Sequence, residues 1–170
     1  MVGALALAEM PTLAAPEHPS QANRHVLAMG CYARTYSDQH MRNNPGQTVR
    51  KIILRIGPDA YGTNGIIFGM QMQLQANLQT KARIWRAGGA CKADGPAPAA
   101  RWQCQPDTDG APSITLMAKA ENLIIDNPGH LQLFDDRTGP DLNTHMIKGV
   151  GERQFLLHPM DAKQCKSGEG

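Results

Sequence analysis

The chain is poor in aromatic side chains, with three Phe, two Trp and three Tyr in 170 residues. It also lacks a surplus of either charge: 17 Lys and Arg stand against 15 Asp and Glu, a formal +2. An RNA-reading face interleaves cations with aromatic platforms, so this composition argues against nucleic acid as a partner. Near-balanced charge also predicts no strong general attraction to nucleic acid or membranes. The cations are dispersed, and the adjacent Arg50 and Lys51 would point to opposite faces of any strand. No apolar run is long enough to span a bilayer. Serine is scarce: Ser20, Ser37, Ser113 and Ser167, none in a triad-like context. There is no glycine-rich phosphate loop, no G-x-S-x-G and no H-E-x-x-H. None of the six histidines has H-x-H or H-x-x-x-H spacing.

What is present is β pattern. Residues 68–77 read F-G-M-Q-M-Q-L-Q-A-N. Phe68, Met70, Met72, Leu74 and Ala76 fall on one side; Gly69, Gln71, Gln73, Gln75 and Asn77 fall on the other. That period-two alternation predicts a strand with one buried and one wet face. Further strands are expected over 49–56, 82–86, 113–118, 122–126, 130–134 and 153–158, with Gly, Pro, Asn and Asp turns between them. Residues 36–47 predict a short helix, N-capped by Ser37 or Asp38 and stopped at Asn44-Pro45-Gly46. Residues 87–101, with three Gly, two Pro and six Ala, are expected to be irregular. Helical crossovers are missing, so the pattern points away from parallel α/β folds. It predicts one all-β domain, an antiparallel sandwich or barrel of about seven or eight strands with one short N-terminal helix. The nine methionines are expected to fill gaps in its core.

The β domain is expected over 27–166. Residues 1–26 read as a signal-peptide remnant or a disordered tail: 2–8 are apolar, Glu9 interrupts, and no positive segment precedes them. Residues 167–170 read as a polar tail.

The cysteines are Cys31, Cys91, Cys104 and Cys165. An even number in a chain with signal-like features suggests two disulfides and an exported, periplasmic or secreted, protein. Three connectivities are possible. Cys91–Cys104 is favoured because it would pin the glycine- and alanine-rich stretch, which leaves Cys31–Cys165. A zinc site is the weaker reading, because no close C-x2-C pair exists.

Candidates for chemistry are few. His40 and His145 lie in expected loops, and Asp135 and Asp136 are adjacent carboxylates. The four could serve a hydrolase or metal-dependent enzyme if the fold brought them within hydrogen-bonding reach. Asp107-Thr108-Asp109-Gly110 looks like part of a calcium loop but lacks the remaining oxygen ligands, so a solvated turn is expected. No catalytic, cofactor or metal residue is assigned.

Two stretches resemble a known family. Cys31-Tyr32-Ala33-Arg34-Thr35-Tyr36, His40-Met41 and the turn at Asn44-Pro45-Gly46-Gln47, leading into the strand at 52–56, are similar to the start of uncharacterised secreted proteobacterial proteins. Gly151-Glu152-Arg153-Gln154-Phe155-Leu156-Leu157 followed by Cys165 is similar to their closing strand and last cysteine. His40-Met41 stands where that family has a His-Leu pair. The resemblance covers about a third of the chain and implies export and a compact cysteine-bearing β domain, with no catalytic residue. The expected function is therefore a non-enzymatic binding module for a small molecule or a protein. The alternatives are an inhibitor of a cell-wall hydrolase or protease, presenting the Cys91–Cys104 loop, or the His40/His145/Asp135/Asp136 enzyme.

Overall fold

A computed structural model describes residues 27–59, 65–75, 84–95, 101–107, 110–128, 131–135, 144–147 and 152–166. In chain order the elements are β1 (Gly30–Thr35), α1 (Asp38–Asn43), β2 (Val49–Pro58), β3 (Ile66–Leu74), β4 (Ile84–Ala93), β5 (Arg101–Pro106), β6 (Ile114–Lys119), β7 (Asn122–Asp126), β8 (Leu131–Asp135), β9 (Thr144–Ile147), β10 (Gln154–Met160) and α2 (Ala162–Lys166). All strand pairings are antiparallel. The order β3-β2-β1-β10-β7-β6-β5-β4, closed by β3–β4, makes an eight-stranded barrel. β8 and β9 continue from β4. β4 shares one of its edges: β5 pairs with Gly89–Ala93 and β8 with Trp85 and Arg86. Among the described residues no helix is long and apolar enough to cross a membrane.

Alternation decides the inside. On β3, Phe68, Met70, Met72 and Leu74 are buried while Gly69 and Gln73 are exposed. Ile52, Leu54 and Ile56 of β2, Leu123 and Ile125 of β7, and Phe155 and Leu157 of β10 add the other inward rows. Ile52, Leu54, Met70, Met72, Leu116 and Phe155 are sealed from solvent. An eight-stranded barrel is just wide enough for side chains to fill it, and here large aliphatic side chains do so. Among the described methionines, Met41, Met70 and Met72 are buried and Met29 is exposed.

The strand map differs from expectation at four places, one of them β9, which carries His145 where a loop is expected. β1 lies where no strand is expected; its six residues are too short for a clear alternation. β4 does not stop at Arg86 but continues through Ala87-Gly88-Gly89-Ala90-Cys91-Lys92-Ala93. One of the glycines that suggest irregularity, Gly89, is there because β5 comes close. A Cβ on Gly89 would sit 2.1 Å from the Gln105 carbonyl oxygen, so only glycine fits. β5 itself is the fourth. α1 forms where expected, with Ser37 as N-cap accepting from the His40 amide at 3.2 Å. A second short helix, α2, follows β10.

The disulfides are Cys31–Cys165 and Cys91–Cys104. Cys91 and Cys104 are register partners on the buried face of β4 and β5. Cys31 lies on the outer face of β1 and holds α2 against the wall. Two disulfides suit an oxidising, extracellular environment.

Candidate binding groove on the barrel wall

The outer face of β2, β3 and β4 carries the candidate site. Strand register aligns Ile53 of β2, Gln71 of β3, Arg86 of β4 and Phe134 of β8 in one row. The next row is Cys31, Arg55, Gly69 and Gly88. Cross-strand neighbours on one face lie about 5 Å apart, so each row is a continuous band. Gly69 and Gly88 are adjacent and have no side chains, and the wall dips there. A Cβ at Gly69 would meet nothing within 4 Å. The result is a groove of about 180 Å³ lined by Ile53, Arg55, Gln71, Arg86, Phe134 and Cys165 beside the two glycines. Arg55, Gln71 and Arg86 each have an interaction partner. The groove offers guanidinium and amide donors beside one aromatic ring and one aliphatic side chain. That set can orient a ligand with polar and apolar parts.

A second, more open cleft of about 430 Å³ lies at the barrel rim, lined by Tyr36, His40, Asn44, Gly46, Gln47 and Gln154. Its side chains are largely committed to one another. The Tyr36 and His40 rings stack with centroids 4.8 Å apart, and the Arg34 guanidinium lies 5.3 Å from the Tyr36 centroid. Gln47 Nε2 donates to the Val49 carbonyl at 2.8 Å, so its Oε1 faces His40 Nε2 at 2.9 Å as an acceptor. That assigns the proton to His40 Nε2. Burial raises the Tyr36 pKa above the usual phenol value; the neighbouring Arg34 charge opposes the rise and the Glu152 charge adds to it. Beneath the rim, Glu152 is buried and its Oε1 accepts from the Thr48 and Val49 amides at 2.6 and 2.7 Å. The Thr48 hydroxyl also donates to it at 2.9 Å. This carboxylate is structural: it satisfies the start of β2.

His158 is similarly fixed. Arg34 can only donate, so His158 Nε2 accepts from it at 2.7 Å, and Nδ1 gives its proton to Asn122 Oδ1 at 2.8 Å.

Of the residues considered for an enzyme, Asp135 and His145 lie on the paired strands β8 and β9, two register positions apart, whereas His40 lies away from Asp135. His40 is on α1, stacked and hydrogen-bonded as above. Asp135 ends β8, buried, in register with Trp85. Three strand spacings, about 14 Å along the sheet, separate its row from Ile52 on β2, the strand that follows α1. His145 is in β9, in register with Leu133, and Asp136 lies outside the described residues. Asp107 is an exposed residue after β5, and Asp109 lies outside the described set. Among the described residues, no group of three or more His, Cys, Asp and Glu side chains is placed to hold a metal. Of the groove residues, Gln71 belongs to the glutamine face evident from alternation. The others come together only through pairing register, which composition and spacing do not reveal.

No family model, no curated protein and no solved structure matches the chain.

Proposed function

We propose that the protein is a non-enzymatic, disulfide-stabilised binding module, periplasmic or secreted, that takes a small molecule or a protein segment on its outer wall. The observation that carries this reading is the glycine-floored groove with its arginine, glutamine and phenylalanine lining, set on a barrel whose inward side chains are tightly packed. The resemblance of residues 31–56 and 151–165 to secreted proteobacterial proteins supports export, as does the use of all four cysteines in disulfides.

The test uses a variant that fills the groove without strain. A Cβ at Gly69 meets nothing within 4 Å, so Gly69→Leu should fold like the parent. Thermal-shift screening of the full chain against small carboxylates, phosphates, saccharides and short peptides should give ligands that stabilise the parent protein. Gly69→Leu and Arg86→Ala should abolish that stabilisation. Hits that bind Gly69→Leu equally well would move the site elsewhere, and turnover of any ester, phosphoester or peptide probe would overturn the non-enzymatic reading.

One observation favours a second reading, inhibition of a hydrolase or protease by the β4–β5 hairpin. Its base is clamped three times: by Cys91–Cys104, by Asp94 N–H donating to the Arg101 carbonyl at 2.9 Å, and by the Arg101–Asp94 ion pair at 3.2 Å. A loop held at its base loses less entropy on binding. The hairpin tip, residues 96–100, lies outside the described residues. Inhibition of a lysozyme or protease, lost on replacing residues 96–100 by glycine and serine, would support this reading in place of the groove.

A further inference from the structure

The two disulfides differ in how an attacking thiol can reach them. Cys91 and Cys104 are 2% and 0% exposed inside the barrel, whereas Cys31 and Cys165 are each 8% exposed on its outside. Thiol–disulfide exchange needs in-line access of a thiolate to one sulfur, so the outer bond is the reachable one. What that bond holds is also distinctive. Residues 161–164 are exposed, and Cys165 is the one buried residue among 161–165. The hydrogen bonds that shape the turn are local: Gln164 N–H to the Asp161 carbonyl at 3.0 Å, and Lys163 N–H to Asp161 Oδ1 at 2.7 Å. A helix of five residues does not persist alone in water. The Cys31–Cys165 bond is the covalent tie that fastens α2 to the wall. There α2 forms one side of the groove, since Cys165 lines it beside Arg55 and Gly69.

We propose that Cys31–Cys165 is a redox latch on the groove: an external dithiol reductant opens it, releases α2 and removes one wall, while the barrel stays closed. The chemistry balances with a dithiol protein or small dithiol as the co-reactant. Its thiolate attacks one sulfur of the bridge, forming a mixed disulfide and expelling the other cysteine as a thiolate. Its second thiol then displaces the remaining cysteine. Two electrons pass from the dithiol, which leaves as a disulfide, and with two protons taken up Cys31 and Cys165 become thiols. The barrel survives because β1 is paired on both sides, to β2 and to β10, with Cys31 itself in register with Met160. Inside, Cys91–Cys104 remains intact. The consequence for ligand affinity rests on the groove being the binding site; the latch itself does not.

The test needs no ligand. The full-length oxidised protein is titrated with dithiothreitol under native conditions, trapped with an alkylating agent and mapped by peptide mass. The expected result is a plateau of two labelled thiols, Cys31 and Cys165, reached at a reductant concentration lower by on the order of tenfold than that labelling the other pair. On that plateau, hydrogen exchange at 161–166 should rise to the level of an unstructured peptide while β4, β5 and β10 keep their protection. Cys31→Ser with Cys165→Ser should reproduce the exchange pattern without reductant. Labelling of Cys91 and Cys104 first, labelling of all four together, or retained protection of 161–166 after the outer bond opens would each overturn the latch. A ligand screen with no hits would count against the groove reading alone. With a ligand in hand, loss of its binding on the two-thiol plateau would join the two.

Discussion

The inner and outer disulfides show how one chemical device does two different jobs on either side of a barrel wall. Cys91–Cys104 joins strands already paired to each other over Gly89–Ala93, and its atoms form part of the packed core. Cys31–Cys165 joins a paired strand to a short exposed helix. Cutting the first disturbs a core; cutting the second frees a surface segment but also lifts the constraint on a far longer loop. Sequence separation is 134 residues for the outer bridge and 13 for the inner one. The glycines repeat the lesson. Gly89 is hemmed in by the β5 backbone, and Gly69 faces open space.

The largest effect should come from Cys31→Ser with Cys165→Ser. By the chain-entropy argument, urea denaturation should show a loss of about 4–5 kcal/mol, against about 3 kcal/mol from loop closure alone for the inner pair. If the inner pair proves the costlier, core packing outweighs loop length and the contrast reverses. Gly89→Ala comes next, with an expected loss of about 3 kcal/mol because the clash is with backbone that cannot rotate away. Gly69→Ala should stay within about 0.5 kcal/mol, and equal losses at the two sites would erase the distinction between tight interior and open groove. Glu152→Gln should cost about 2 kcal/mol, since the charge-assisted bonds to the Thr48 and Val49 amides weaken. Wild-type stability there would mean that the rim does not depend on the buried carboxylate.

The smallest effect is a pH dependence. Burial raises the pKa of Tyr32, whose hydroxyl donates to the Ala28 carbonyl at 2.7 Å, and that of Tyr36. An unfolded chain releases phenolic protons near pH 10, where the folded protein still holds them. The stability these two groups contribute is complete below pH 10 and is lost as pH rises through their folded values. Absorbance at 295 nm should show them ionising later than free tyrosine, and Tyr32→Phe and Tyr36→Phe should each remove part of the delayed signal. Ionisation of both at the free-tyrosine pH would contradict their burial.

Much of the fold is legible in the chain because alternation is legible. Residues 68–74 announce their inner and outer faces outright, and β2, β6, β7 and β10 lie close to the expected spans. β4 is hidden by its own function in the packing. Gly88 and Gly89 carry no alternation signal, and Gly89 lacks a side chain because the β5 backbone comes too close to admit one. β1 and β5 are short, and Pro106 makes β5 look like the start of a turn. The groove is less legible still. Gln71 stands out as a polar outward residue, but Arg55, Gly69, Arg86, Gly88 and Phe134 come from four strands. A one-residue change of register would turn any strand's contribution inward, and no local pattern encodes that register.

The disulfides are nested: 91–104 lies wholly inside 31–165. In a chain threaded N-terminus first into an oxidising compartment, Cys31 arrives first and Cys91 next. The first pair able to oxidise is therefore 31–91, a non-native bond. Correct assembly then requires either that Cys31 wait as a thiol until the C-terminus arrives or that the early bond be reshuffled. Reshuffling takes seconds to hours without help, so a barrel that matures through the early bond should be paced by a disulfide isomerase and should slow in cells that lack one.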